Sequence, residues 1–230
     1  MTDATNLGDI YVVGQRRAPG GTFPSGGGGG GGQGEDPGVQ QNEVTDPTYV
    51  PPPNPCDNPD AALEWNADAA AAEAAKEFAR QAAARNPPET LNVREWGCYL
   101  YRAADGSIQL GPITYGDPFS SGGVGSVNPS TAGIEPSTIV GSVHSHGSGN
   151  HLPSSGTDQN PGDIHHLNGM VTFSGNTSAR LYIVAQNQGP SGFVQYNQIN
   201  IYNQATAQQA RDSFTPGPEV NPEGTPCPGA

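Results

Sequence analysis

Two histidines one residue apart, His144-Ser145-His146, close a short apolar run at 138–143. Side chains two apart on a β-strand share one face, about 6–7 Å from each other along the strand axis, so a strand ending here presents both imidazoles together. A loop rich in Gly, Ser and Asn follows and carries Asp158 and Asp163. Neutral imidazole is a favoured Zn2+ ligand. A carboxylate can make the third bond and leave a fourth position open to water. That is the chemistry of hydrolysis when a proton acceptor stands nearby, and Glu95 upstream is the candidate for it.

Either aspartate can complete the set. Asp158, in Ser155-Gly156-Thr157-Asp158, is reached by the shorter loop. Asp163 follows Asn160-Pro161-Gly162 and opens a segment that can be helical, and a helix terminus holds a ligand rigidly. Asp163 is favoured, with Asp158 as the alternative. Glu95 precedes a strand-like run at 97–102, which would hold its side chain over a sheet end; Glu89, at a Pro-Glu-Thr junction, is the fallback base. Ser155 is the expected donor to a developing oxyanion, or Asn160 if Asp163 is the ligand.

The elements that must position these groups can be read from pattern. Asn58, Pro59 and Asp60 form a helix start, and alanines dominate 61–84 until Pro87-Pro88 stops the helix. Leu63, Ala67, Ala70, Ala74 and Phe78 lie on one helix face. Residues 97–102 and 107–110 flank Ala104-Asp105-Gly106 as a hairpin. A Gly/Ser/Pro loop at 116–137 precedes the histidine strand. Residues 163–169 are expected as a short helix, 170–173 and 179–184 as strands, 193–202 as a further strand and 204–214 as a terminal helix. This order predicts an α/β (α+β) domain, a single mixed sheet flanked by helices, over 58–215. Residues 1–57, with a seven-glycine run, read as a disordered Gly/Pro-rich arm, and 216–230 as a Pro-rich tail. Within the arm, 9–13 is a short β-prone run, read first as a remnant with no role and otherwise as a strand added to a partner sheet.

The remaining histidines and aromatics have structural readings. His151 is expected to be solvated, His165 and His166 to pack or face solvent on the short helix, and Trp65 and Trp96 to lie in the core. Asn176-Thr177-Ser178 reads as a turn. Cys98 reads as a buried small hydrophobe. A Cys56–Cys227 disulfide would tie the domain ends together, although a reducing cytosol would disfavour it.

The net charge of −13, with nine scattered basic residues, argues against nucleic acid and anionic membranes as partners. No run of about 18 apolar residues suggests a transmembrane helix. Residues 1–17 lack the pattern of a secretory signal, so a cytoplasmic protein is expected, or one exported by a signal-less route.

Glu95, then strand-end His144-Ser145-His146, then a Ser-x-x-Asp-like element resembles the signature of the JAMM (JAB/MPN+) metalloproteases. With Val93-Arg94-Glu95-Trp96-Gly97, the texture is similar to a bacterial branch of JAB-like domains found in RHS-type and other polymorphic secreted proteins. The resemblance covers roughly 60–205. It implies a JAB/MPN-like fold, Zn2+ on His144, His146 and an Asp, Glu95 as base, and cleavage of peptide or isopeptide bonds. A peptide or protein substrate would follow, in a toxin or secreted effector with a secretion-system or immunity partner. The chain departs from the signature at Gly147, where a Pro is common, and in its Ser-x-x-Asp element. A non-catalytic JAB-like interaction module is the alternative, and a hydrolase of a non-peptide amide is the third reading.

Overall fold

The computed structural model describes residues 54–119, 127–147, 150–157, 160–188, 194–220 and 226–227. The 9–13 run and Asp158 lie outside them. Helix α1 spans Pro59–Ala83. The Asn58 side chain accepts the N–H groups of Asp60 and Ala61 at 2.9 and 3.2 Å, and Pro59 occupies a position where no N–H is needed. The small buried face of Ala67, Ala70, Ala71, Ala74 and Ala75 lets this helix lie close on the sheet, with Phe78 as its one large anchor. Leu63, expected on that face, is half-buried.

The main sheet contains β1 (Trp96–Arg102), β2 (Ile108–Leu110), β3 (Thr114–Tyr115), β4 (Ile139–Ser145), β7 (Arg180–Gln188) and β8 (Val194–Tyr202). A separate two-stranded ribbon is formed by β5 (Gly156–Thr157) and β6 (Asn160–Pro161). The order is β2-β1-β4-β7-β8, with β3 also paired to β1. The hairpin is as expected, Leu100 facing Leu110 and Arg102 facing Ile108. Among the described residues, only β4 and β7 pair in parallel. A parallel pair needs a crossover, and helix α2 (Asp163–Ser174) lies on it. Helix α3 (Gln204–Ser213) follows β8, boxed at its start by Asn203 and Thr206.

Strand alternation sorts the core into two layers. Trp96, Cys98, Leu100, Val143, Tyr182 and Val184 pack under α1, whereas Tyr99, Ile139, Leu181 and Ile183 pack under α2 and α3. The domain is a mixed sheet with helices on both faces, as the element order predicts.

Two expectations are corrected. Residues 170–173 are not a strand; they form the second half of α2. Leu167, Met170, Val171 and Ser174 recur at helical spacing against the sheet, and the helix ends where Gly175 turns left-handed at φ 70°. The folded domain also extends beyond 58–215. Residues 55–57 form a 3-10 turn. Past α3, the Ile201 N–H donates to Pro218 O (3.0 Å) and the Val220 N–H to Ile199 O (2.7 Å), so part of the Pro-rich tail satisfies the open edge of β8. Cys56 and Cys227 are joined in a disulfide, and the Asn66 side chain brackets the Cys227 backbone at 3.0 and 2.6 Å.

Candidate metal centre

Val143 points to the α1 layer, so alternation sends Ser142 and His144 to the α2 side, and His146, just past the strand end, follows them. The site is thus at the C-terminal end of β4, facing the N-terminus of α2. His144 Nε2 and His146 Nε2 are 3.0 Å apart. Asp163, the first residue of α2, places Oδ1 3.1 Å from His144 Nε2 and Oδ2 3.3 Å from His146 Nε2. Donors about 2.0–2.1 Å from a tetrahedral zinc lie about 3.3 Å from one another, so the two Nε2 atoms and the Asp163 carboxylate are spaced as ligands of one small cation would be. All three side chains are at least 86 % covered.

The protonation states suit a cation. His146 Nδ1 lies 2.8 Å from the Asn150 carbonyl, which only accepts, so Nδ1 carries the hydrogen and the neutral ring turns the Nε2 lone pair inward. Burial works against the Asp163 carboxylate, but the His144 and His146 charges and hydrogen bonds outweigh it and hold its pKa well below the usual range. Burial likewise opposes protonation of His146, yet Asp163, Glu95 and the Asn150 carbonyl raise its pKa.

Ser154 is the residue that local sequence reasoning misses. Its N–H donates to Asp163 Oδ2 at 2.6 Å, its Oγ accepts the Asp163 N–H at 3.1 Å and its carbonyl accepts the Ile164 N–H at 3.2 Å. It therefore caps α2 from outside and aims the candidate ligand's carboxylate at once. The β5–β6 ribbon makes this contact possible: pairing Gly156 with Pro161 brings positions nine apart in sequence together. Gly162 is required by the approach, since a Cβ there would meet Gly156 N at 2.4 Å, Ser154 Oγ at 2.5 Å and Ser154 O at 2.7 Å. Ser155, the expected oxyanion donor, is exposed. Asp158 lies outside the described residues, as does the Asn160 side chain.

Glu95 stands one residue before β1, where Gly97 pairs with His144 and the Trp96 N–H donates to Ser145 Oγ at 3.0 Å. Burial raises its pKa; the charges of His144 and His146 oppose that rise, and the Asp163 charge adds to it. The Val127 N–H donates to Glu95 Oε2 at 3.3 Å. Glu89, the fallback base, is engaged otherwise. It takes a two-pronged hydrogen bond from buried Arg94 at 2.7 and 2.8 Å, pairs with Arg85 at 3.1 Å, and its pKa is lowered chiefly by the Arg94 bond. Arg94 also donates to Gly116 O, and the Gly116 N–H donates to Glu95 O, so this ion pair braces the backbone that carries Glu95.

Gly147 has a steric reason. A Cβ there would fall 2.2 Å from the Phe119 ring, which lies against the residue following the second histidine. His166 is held by Ser142 Oγ at 3.2 Å and stacks on Tyr99, while His165 is exposed. His151, expected in solvent, is half-buried, and its carbonyl is bound by the Tyr202 hydroxyl. Cys98 and Trp96 are core residues as expected, and Trp65 is half-buried. Among the described residues, no helix is long and apolar enough to cross a membrane.

Fold and site together define a mixed α/β domain with a His-His-Asp group able to hold a metal ion. No family model matches this chain, and neither a curated protein nor a solved structure matches it.

Proposed function

We propose that this domain is a zinc-dependent hydrolase of the peptidase or isopeptidase type, with the JAMM-like arrangement its motifs resemble. The observation that carries this reading is the convergence of His144, His146 and Asp163, with Glu95 feeling the charges of all three. A mixed imidazole–carboxylate set with one open corner suits zinc. When bound, zinc would supply Lewis acidity and acidify water at neutral pH. Glu95 is the base. Its raised pKa brings it nearer neutrality, so it can take a proton from the attacking water and return it to the leaving amine. Ser154 is assigned the oxyanion role expected of Ser155. Its oxygen already accepts from the Asp163 N–H, and its hydroxyl hydrogen remains to donate.

A peptide or protein substrate, and a toxin or effector role with a secretion-system or immunity partner, follow from the same resemblance. The Cys56–Cys227 disulfide supports an oxidising destination over the cytosol. The test pairs metal content with turnover. The parent chain is expected to bind one equivalent of zinc and to cleave a member of a peptide and isopeptide panel. Glu95→Gln should keep the zinc and lose about 10²–10⁴-fold in rate. A parent chain without stoichiometric zinc, or a Glu95→Gln chain with full turnover, refutes the proposal.

A further inference from the structure

We propose that Tyr202 is a positioning residue that orients the His146 ring, and that the C-terminal segment 217–220 holds Tyr202 in that role. This rests on the reading of His146 as a metal ligand. The His146 ring is aimed by one contact to the backbone, Nδ1 to the Asn150 carbonyl at 2.8 Å. A carbonyl in a short loop orients a ring only as well as the loop is held. Two bonds hold this one. The Leu152 N–H donates to Asn150 Oδ1 at 3.1 Å, closing a local turn, and the Tyr202 hydroxyl donates to the carbonyl of His151, the next residue.

Tyr202 suits this work because it cannot move. It is the last residue of β8, 1 % exposed, with its ring in the layer under α2 and α3. Its oxygen has a second partner, the Gly217 N–H at 3.2 Å. Gly217 is itself fixed, since its carbonyl accepts from Asn200 Nδ2 at 2.8 Å and the chain beyond it pairs with β8. One phenol thus links the tail, the end of β8 and the loop behind His146, and each bond in the series has a single direction: Gly217 N–H to Tyr202 O, Tyr202 O–H to His151 O. A ligand's outer partners fix its tautomer and ring orientation.

The test uses the full chain, with and without zinc. Long-range 1H–15N spectra of the metal-free chain, at alkaline pH where the ring is neutral, report which His146 nitrogen carries the hydrogen; competition with a chelator reports zinc affinity. The parent is expected to show the Nδ1–H form. Tyr202→Phe, which keeps the ring and removes the hydroxyl, should give a mixture of tautomers and about tenfold weaker zinc binding. Asn150→Ala, which removes only the turn contact, should shift both in the same direction and serves if Tyr202→Phe fails to fold. A purely structural Tyr202 would lower Tm and leave tautomer and affinity unchanged; a folded Tyr202→Phe chain with that result overturns the proposal, as does a silent Asn150→Ala where Tyr202→Phe does not fold. A parent that binds no zinc but whose His146 tautomer still responds to Tyr202→Phe sinks the zinc reading and retains the positioning role.

Discussion

Gly162→Ala tests the coupling between the helix cap and the metal ligand without touching any donor atom. The added Cβ would sit 2.4 Å from Gly156 N and 2.5–2.7 Å from Ser154, whereas real Cβ contacts essentially never fall under 3.0 Å. Two of the three obstacles are backbone atoms, so the 154–156 segment must retreat by about 0.6 Å, beyond the roughly 0.5 Å tolerance of a preorganised site. Ser154 holds the Asp163 carboxylate by its N–H, so the retreat loosens the group proposed as the third ligand. Disturbing such a partner costs about 10–100-fold in metal affinity. At a fixed excess of zinc, that removes about 1.4–2.7 kcal/mol of zinc-linked stability, or roughly 3–10 °C from the rise in Tm on adding zinc. The assay is thermal unfolding of each chain with and without zinc. Comparing each variant with itself cancels the overpacking cost of about 1–3 kcal/mol. Gly169→Ala is the control: it lies in the same helix, has nothing within 4 Å of the added Cβ, and should stabilise the helix by about 0.5–1 kcal/mol while leaving the zinc response intact. A Gly162→Ala chain with the parent's zinc-induced rise would refute the coupling.

Two further outcomes follow from groups behind the site. His166 has its pKa lowered from 6.5 to about 4, first by burial and then by the His144 and His165 charges, with Asp163 opposing. The unfolded chain therefore takes up this proton before the folded one does, so stability is full above the unfolded value and falls as pH drops from about 6.5 towards 4. The loss between pH 7 and 5 is about 2 kcal/mol, and urea unfolding at the two pH values should show His166→Gln losing less than the parent by a comparable amount. Equal losses would show that His166 does not carry the effect. The Cys56–Cys227 bond closes a separation of 171 residues, and replacing both cysteines with serine should cost about 2–5 kcal/mol, read as a lower denaturation midpoint. An unchanged midpoint would mean that Asn66 and the β8 pairing hold the tail unaided.

Local pattern sufficed for elements whose causes are local. Asn58-Pro59-Asp60 and the alanine run specify α1, because capping and helix propensity act within a few residues. Strand period specifies that His144 and His146 share a face, and Ala104-Asp105-Gly106 specifies the β1–β2 hairpin. Residues 170–173 defeated the same reasoning. Met-Val-Thr-Phe has strand-prone members, but Leu167, Met170, Val171 and Ser174 bury one helical face against the sheet, and that burial outweighs local preference.

The site divides along the same line. Residue types and spacing placed two imidazoles, two candidate aspartates and Glu95 on the page, because ligand chemistry is a property of side chains. Only tertiary structure brought Asp163 to both histidines, engaged Glu89 with Arg94, and set Ser154 rather than Ser155 against the helix start. The Asp163 contacts join positions 17 and 19 residues apart, and the Glu89–Arg94 pair, itself local, gains its bracing role from Gly116, 22 residues beyond Arg94. No window of neighbouring residues contains that information, since it is the packing of whole elements that fixes which side chains meet.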